Sequence, residues 1–308
     1  MTLPVTLPAG LTLLERGWLS SNNILIVGPE RSALVDSGYA THASQTLALV
    51  QGALKGRALD VLINTHLHSD HCGGNAALQA HYPSLHTLIP PGQAAHVTAW
   101  NPYALSFTPT GQLCERFSFN ATLQPGTRIE LGGQVWQVHA APGHDPSSVI
   151  LFEPKSRLLL SADALWENGF GVVFPELDGA DAFNEVAQTL DLIEALDAKT
   201  VIPGHGPAFT DVPAALARAR KRLDTFVNDP AKHLRYAAKV LIKFKLLEVQ
   251  TIAFDALLAW TKGTELVTHV HRSDAPHTSL EAWVNQLVTD LVRSGAATRD
   301  QMVVRNAN

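Results

Sequence analysis

Histidine and aspartate residues cluster at four places in the sequence, with glycine beside most of them. The clusters read HLHSDH at residues 66–71, then APGH, SAD and PGHG further along the chain. Together they supply seven candidate metal ligands, which are His66, His68, Asp70, His71, His144, Asp163 and His205. Imidazole and carboxylate are ligands that zinc prefers, and imidazole also suits iron. Seven candidates exceed the four ligands of a closed structural site, so we predict two divalent metal ions, zinc ahead of iron or manganese.

Two neighbouring cations that share one water molecule lower its pKa toward neutrality and turn it into a nucleophile. The same cations polarise a carbonyl or phosphoryl oxygen and stabilise the charge that develops on it. The sequence shows no serine–histidine or cysteine–histidine arrangement that would supply another nucleophile. We therefore predict hydrolysis by an activated water, and within the ligand set we also assign Asp70 a catalytic role.

The elements that position these side chains are visible as short apolar runs. DVLIN precedes His66, VWQV precedes His144, LLLSA precedes Asp163 and VIP precedes His205. Such runs are typical of buried strands, so the ligands are expected on loops at strand ends. Further strands are predicted at 23–27 and 32–35, and helices at 42–54, 75–81 and 181–196. Strands interleaved with helices indicate a layered α/β fold.

The last third of the chain differs from the rest in charge and in pattern. Residues 1–215 carry 9 Lys and Arg against 19 Asp and Glu, whereas residues 216–308 carry 14 against 9. Helical patterns cover much of the later part, followed by a short terminal hairpin; the predicted helices are 213–227, 231–247, 251–260 and 278–294. We predict a metal-binding catalytic domain at 1–213 and a helical, winged-helix-like domain at 214–308.

The segment THLHSDHCGG resembles the H-x-H-x-D-H signature of the metallo-β-lactamase superfamily, and the three later loops match its ligand loops in the right order. The resemblance covers about residues 15–210. It implies an αβ/βα sandwich, here with a C-terminal mainly helical domain, and a place near the glyoxalase II-like hydrolases. By that resemblance the first metal is held by His66, His68 and His144. The second is held by Asp70, His71 and His205, with Asp163 as a bridge and Asp36 supporting the site.

The leading functional hypothesis is a dinuclear metal-dependent hydrolase of a small ester, thioester or lactone. One alternative is a metal-dependent ribonuclease that grips RNA with its basic C-terminal domain. A second is a mononuclear iron dioxygenase of the persulfide type, and a third is a binding protein with a vestigial metal site. We predict no tight binding of nucleic acid, because the tail carries only a small positive excess and few aromatic residues interleave with its basic ones.

Composition and local pattern supply the remaining expectations. With 46% hydrophobic and 17% charged residues, the 308-residue chain has an ordinary globular composition. We read no signal peptide or membrane span and expect a cytoplasmic protein with a small-molecule substrate, leaving a homodimer open. Cys72 and Cys114 are expected to be free thiols, Cys72 a buried one, and Asp145 could shape the pocket. An apolar wall beside the metals could come from Trp100, Tyr103, Phe107, Trp166, Phe170 and Phe174.

Overall fold

The computed structural model describes residues 5–307, and the chain divides into two compact units. The first unit contains the chain up to Leu105 together with Leu113–Leu223. The second contains Ser106–Gln112 and the chain from Asp224 onward. The division after Leu223 falls inside a long helix, whereas the sequence placed a domain boundary after residue 213. That boundary stays a prediction about independent domains.

Two β-sheets form the centre of the first unit. The strands of the first sheet, in spatial order, are β1 (Leu11–Leu14), β2 (Asn23–Val27), β3 (Ser32–Val35), β4 (Val61–Ile63), β5 (His86–Ile89) and β6 (Ala121–Thr122). Strands β1 to β3 pair antiparallel, and β3 to β6 pair parallel. The second sheet contains β7 (Arg128–Leu131), β8 (Gln134–Ala140), β9 (Val149–Glu153), β10 (Leu158–Ala162) and β11 (Thr200–Pro203). Its order is β11-β10-β9-β8-β7, antiparallel except for β10 and β11.

Helices connect these strands, and most of them belong to the first unit. In chain order they are α1 (Ala43–Leu54), α2 (Ser69–Cys72), α3 (Asn75–His81), α4 (Ala94–Ala99), α5 (Phe107–Thr110), α6 (Phe174–Leu177), α7 (Ala182–Ala195) and α8 (Val212–Asn228). Helix α5 is part of the second unit, and α8 crosses the division between the units. Single turns of 3₁₀ helix precede α1 and α4.

The two sheets pack face to face through one apolar core. Because side chains alternate along a strand, Ile24 and Ile26 of β2 enter that core, together with Trp136 and Leu151 of the second sheet. Leu25 points to the opposite face, where it packs in a second core with residues of α1 and α3. Burying each leucine or isoleucine side chain contributes about 1.5–3 kcal/mol. The predicted layered sandwich is confirmed.

The second unit consists mainly of helices with a small sheet of its own. Its helices and strands are α9 (Pro230–Val249), β12 (Thr251–Ala253), α10 (Phe254–Gly263), α11 (Glu265–Asp274), α12 (Leu280–Arg293), β13 (Ala297–Asp300) and β14 (Val303–Asn306). The strands pair antiparallel in the order β12-β14-β13. The Trp283 indole donates to Asp274 at 2.7 Å, which ties α12 to α11. The likeness to a winged helix stays a prediction.

None of the helices in residues 5–307 combines the length and the apolar character needed to cross a membrane.

Candidate metal centre

The predicted ligands follow strands of both sheets, as the sequence pattern indicates. His66 comes shortly after β4, and the short helix α2 that follows carries Asp70 and His71. His144 lies on the loop after β8, and Asp163 directly follows β10. His205 lies just after β11. The rigid framework of two packed sheets therefore holds every loop that contributes to the cluster.

The structure brings all seven predicted ligands together. Their donor atoms form three overlapping groups, and within each group these atoms lie within 4.8 Å of one another. The groups are His66, His68 and His144; His66, His71 and Asp163; and Asp70, His71 and His205. The first and third groups have the same members as the two ligand sets that the resemblance implies. The assignment of each set to one metal ion stays a prediction.

Asp163 lies between these two sets. One carboxylate oxygen is 3.4 Å from His71 Nε2, and the other is 3.4 Å from His144 Nε2. The second oxygen is also 3.9 Å from His205 Nε2. A carboxylate in this position can offer one oxygen toward each set, which is the geometry that the bridging role requires.

Unpaired nitrogen atoms show that the donor set fits a metal ion. His66 Nε2 is buried and has no hydrogen-bond partner among residues 5–307. His71 Nε2 is also buried without a hydrogen bond in that range, although carboxylate oxygens of Asp163 and Asp70 lie at 3.4 and 3.8 Å. A buried nitrogen without a partner costs about 1–3 kcal/mol, so an atom that accepts its lone pair would stabilise it. Divalent cations that prefer imidazole and carboxylate meet that requirement.

Burial and neighbouring charges set the protonation of the cluster. Burial lowers the pKa of His66 well below its ordinary value, and burial with His144 beside it lowers the pKa of His68 to about 3. Burial alone would raise the pKa of Asp163, but the imidazoles of His71 and His205 hold that pKa well below its ordinary range. Near neutral pH His66 and His68 therefore present unprotonated imidazoles and Asp163 a charged carboxylate, the forms that bind metal. Burial alone would lower the pKa of His71, but the carboxylates of Asp163 and Asp36 raise it well above its ordinary value.

Asp36 supports His71 from behind. His71 Nδ1 donates to Asp36 Oδ2 at 2.8 Å, which leaves Nε2 facing the cluster. The backbone N–H and the hydroxyl of Thr65 also donate to the same carboxylate, each at 2.8 Å. Carboxylate partners of this kind fix the tautomer and the orientation of a metal-binding histidine. The structure thus gives Asp36 the position that the resemblance implies.

Asp145 has a comparable place beside His68. Its Oδ2 atom is 3.8 Å from His68 Nε2, and its side chain is buried. The Ser147 backbone N–H donates to Asp145 Oδ1 at 2.7 Å, which fixes the side chain within its own loop. The contact with His68 favours the pocket-shaping interpretation of Asp145 over a side chain that merely faces solvent.

Gly204 allows two ligand loops to approach closely. A Cβ atom at this position would collide with Asp163 Oδ1 and would lie 3.0 Å from His71 Cε1. The Gly204 N–H donates to the Ala162 carbonyl at 2.7 Å, so the loops after β10 and β11 are joined there. The close approach of these two loops therefore requires glycine at position 204.

The predicted aromatic wall is only partly found. The Trp166 indole N–H donates to Asp163 Oδ1 at 3.2 Å, and the Phe174 ring lies 4.9 Å from the His68 ring. Phe170 is instead buried in the core, and Phe107 belongs to the second unit. Of the two remaining candidates, Trp100 packs against Phe117, whereas Tyr103 is an exposed side chain.

Sequence reasoning missed Trp18. Its ring lies parallel to that of His205, with centroids 5.3 Å apart, and edge-on to Trp166 at 5.2 Å. The segment around it, ERGWLSSNN, contains no ligand-type motif and no periodic pattern that would assign it to the site. A tryptophan beside polar residues was the one available signal.

Cys72 is a buried thiol, as predicted, and burial raises its pKa well above the ordinary value. Its sulfur lies 3.8 Å from that of Cys114, and both residues are free cysteines. Its high pKa opposes a role as a nucleophile, because the thiolate is the reactive form.

Comparisons with known proteins identify relatives of this chain. The human acyl-coenzyme A thioesterase MBLAC2 is 25% identical over 215 residues, which cover 63% of this chain and 77% of that protein. The hydroxyacylglutathione hydrolase of a Cyanothece species is 30% identical over 163 residues, which cover 51% of this chain and 54% of that protein. A crystal structure of a metallo-beta-lactamase family protein from Thermus thermophilus matches with a TM-score of 0.61 at 18% identity. That match covers 98% of this chain and 100% of the other.

The family model of the metallo-beta-lactamase superfamily matches residues 16–205. This range contains both sheets of the first unit apart from the first strand, and it holds all seven residues of the cluster. The fold of the solved relative and the order of the ligand loops agree with that match. The chain therefore belongs to the metallo-beta-lactamase superfamily.

Proposed function

We propose that this protein is a dinuclear metal-dependent hydrolase of small thioesters, with esters and lactones as related substrates. The position of Asp163 carries the proposal, because its two oxygens face histidines of both ligand sets at 3.4 Å. Two ligand sets that share a carboxylate suit two adjacent cations better than a single cation. The metal proposed is zinc, with iron or manganese as alternatives.

The named relatives support a thioester substrate. One is an acyl-coenzyme A thioesterase and another is a hydroxyacylglutathione hydrolase, and both names describe cleavage of an acyl group from a thiol. At 25% and 30% identity they support the reaction class and leave the identity of the thiol open. The reaction that we propose for this protein is therefore the attack of water on the carbonyl of a thioester.

The side chains of the cluster would have different roles in the reaction. Two bound cations would lower the pKa of a shared water and polarise the substrate carbonyl. His66 and His68 offer neutral imidazoles, and Asp36 holds His71 in the orientation that directs Nε2 inward. The Asp70 side chain is 14% exposed, against 6% for Asp163, and it lies 3.1 Å from His205 Nε2. Because Asp70 is the more exposed of these two carboxylates, we assign its catalytic role as the transfer of a proton from the attacking water to the leaving thiolate.

A substrate panel tests the proposal. Metal-loaded protein is expected to hydrolyse thioesters, with esters and lactones cleaved more slowly, and to leave single-stranded RNA intact. Matched incubations with protein stripped of metal should show no turnover. Rapid cleavage of RNA without thioester turnover would favour the ribonuclease alternative. Oxygen consumption with a persulfide, supported by a single iron per chain, would favour the dioxygenase.

A further inference from the structure

Trp18 presents an apolar surface beside the cluster. The residue is 53% exposed, although one face of its ring is stacked on His205, with the ring centroids 5.3 Å apart and an interplanar angle of 9°. Trp166 contacts it edge-on, at a centroid distance of 5.2 Å. The indole therefore keeps a large part of its surface open to solvent next to a proposed metal ligand.

The backbone on both sides of Trp18 is fixed. Before it, the buried Arg16 guanidinium donates to Asn23 and Thr46 at 2.7 and 2.8 Å. After it, the Ser21 N–H donates to the carbonyl of Asp70 at 2.9 Å. The next N–H, that of Asn22, donates to the Gly204 carbonyl at 2.7 Å. Trp18 is therefore attached to the same loops that carry the proposed ligands, and its ring is held in place before a substrate arrives.

We infer that Trp18 forms one side of an acyl-chain subsite, so that thioesters with hydrophobic acyl groups are preferred over acetyl thioesters. The inference rests on the proposed function, and it identifies the substrate class. A thioester carbonyl that reaches the cluster brings its acyl chain within a few bonds of His205 and hence of the indole. Covering that ring with methylene groups removes apolar surface from water and strengthens binding.

The acyl chain is a better match for Trp18 than the thiol portion of the substrate. Both portions are joined to the carbonyl carbon, but thiol carriers such as coenzyme A and glutathione contain amide groups close to the sulfur. An acyl chain is apolar along its length, and the exposed ring of Trp18 carries no charge that would disfavour contact with such a chain. Trp166 already uses its indole N–H on Asp163, so it adds a second apolar ring and no free donor.

The test compares acetyl and decanoyl thioesters of one small thiol, N-acetylcysteamine, with metal-loaded wild type and Trp18→Ala. The ratio of kcat/KM for decanoyl to kcat/KM for acetyl is expected to fall about tenfold in Trp18→Ala, because a hydrophobic pocket discriminates by about that factor or more. Trp18→Phe should retain most of the ratio. Val135→Ala, which shortens another exposed apolar side chain of the first unit, should leave the ratio unchanged.

A binding measurement provides a second readout that does not depend on turnover. Decanoate, the hydrolysis product, should bind about tenfold more weakly to Trp18→Ala than to wild type, at equal metal content. An unchanged decanoyl-to-acetyl ratio with unchanged decanoate affinity would overturn the subsite alone. A second series keeps the acyl group constant and varies the length of the thiol; a loss of kcat/KM in Trp18→Ala that depends on the thiol and not on the acyl group would also overturn the subsite. Wild type that cleaves no thioester at full metal content would overturn the proposed function and the subsite together.

Discussion

Asp163→Ala is expected to reduce hydrolysis by more than about 100-fold and to leave at most one metal ion per chain. Loss of a residue that merely supports a ligand costs about 10–100-fold in metal affinity or activity, so loss of a proposed bridging ligand should cost more. The carboxylate lies within 3.4 Å of both His71 and His144, so its removal leaves both proposed sets without a shared anion. Activity and metal content are measured on the same preparations.

The fold should survive Asp163→Ala, because the sheets are held by apolar burial away from the cluster. Glu153→Ala is the matched control. It removes another buried carboxylate of the second sheet, one that accepts from the backbone N–H groups of Lys155 and Ser156 at 3.0 and 2.7 Å. The control should retain metal and activity. Wild-type turnover and metal content in Asp163→Ala would show that the bridging assignment is wrong.

Asp36→Asn is expected to weaken metal binding about 10–100-fold, since it keeps the size of the side chain and removes its charge. The amide cannot accept three hydrogen bonds in the way that the carboxylate accepts them from His71 and Thr65. The orientation and tautomer of His71 would then be held less firmly. Competition with a metal chelator of known affinity, at constant pH, measures the change.

Asp60→Asn provides the control for Asp36→Asn. Asp60 lies just before β4 and accepts from the Ser32 backbone N–H at 2.7 Å, so it is a structural carboxylate on the same sheet. Its substitution should leave metal affinity unchanged. Equal metal affinity in Asp36→Asn and wild type would contradict the supporting role of Asp36.

Much of the fold follows directly from local sequence pattern. The runs NILIV and SALV form β2 and β3 with the predicted bounds, and the predicted helix at 75–81 is α3. One prediction in the last third was less accurate. The predicted helix at 251–260 begins as the strand β12 and becomes helical only at Phe254. This strand forms because its backbone pairs with β14, a contact distant in the sequence.

Helix α11 was not predicted. Its sequence, ELVTHVHRSD, buries only Val267 and Val270 and contains β-branched residues and histidines with modest helix propensity. A short apolar face of two valines gives too weak a periodic signal for a sequence-based assignment. Packing within the second unit, which includes the ten-residue helix α10, therefore stabilises a helix that the local pattern does not predict.

The candidate site, like the fold, was predictable from the sequence only in part. The seven ligand-type residues could be found because they occur in short motifs that can be recognised from residue type and spacing alone. Trp18 could not be found, because backbone hydrogen bonds from Ser21 and Asn22 to the ligand loops bring it to His205. Such contacts join parts of the chain that are more than 40 residues apart, and no local pattern encodes them.

The number of metal ions per chain tests the central claim most directly. Elemental analysis of folded, metal-loaded wild type, after removal of loosely bound metal, should give close to two transition-metal ions per chain. This result is expected because the seven residues form three overlapping groups of donor atoms, more than one tetrahedral site can use. The two oxygens of Asp163 also face His71 and His144, one from each proposed set, at 3.4 Å. One ion per chain, or none, in correctly folded protein would contradict the dinuclear account.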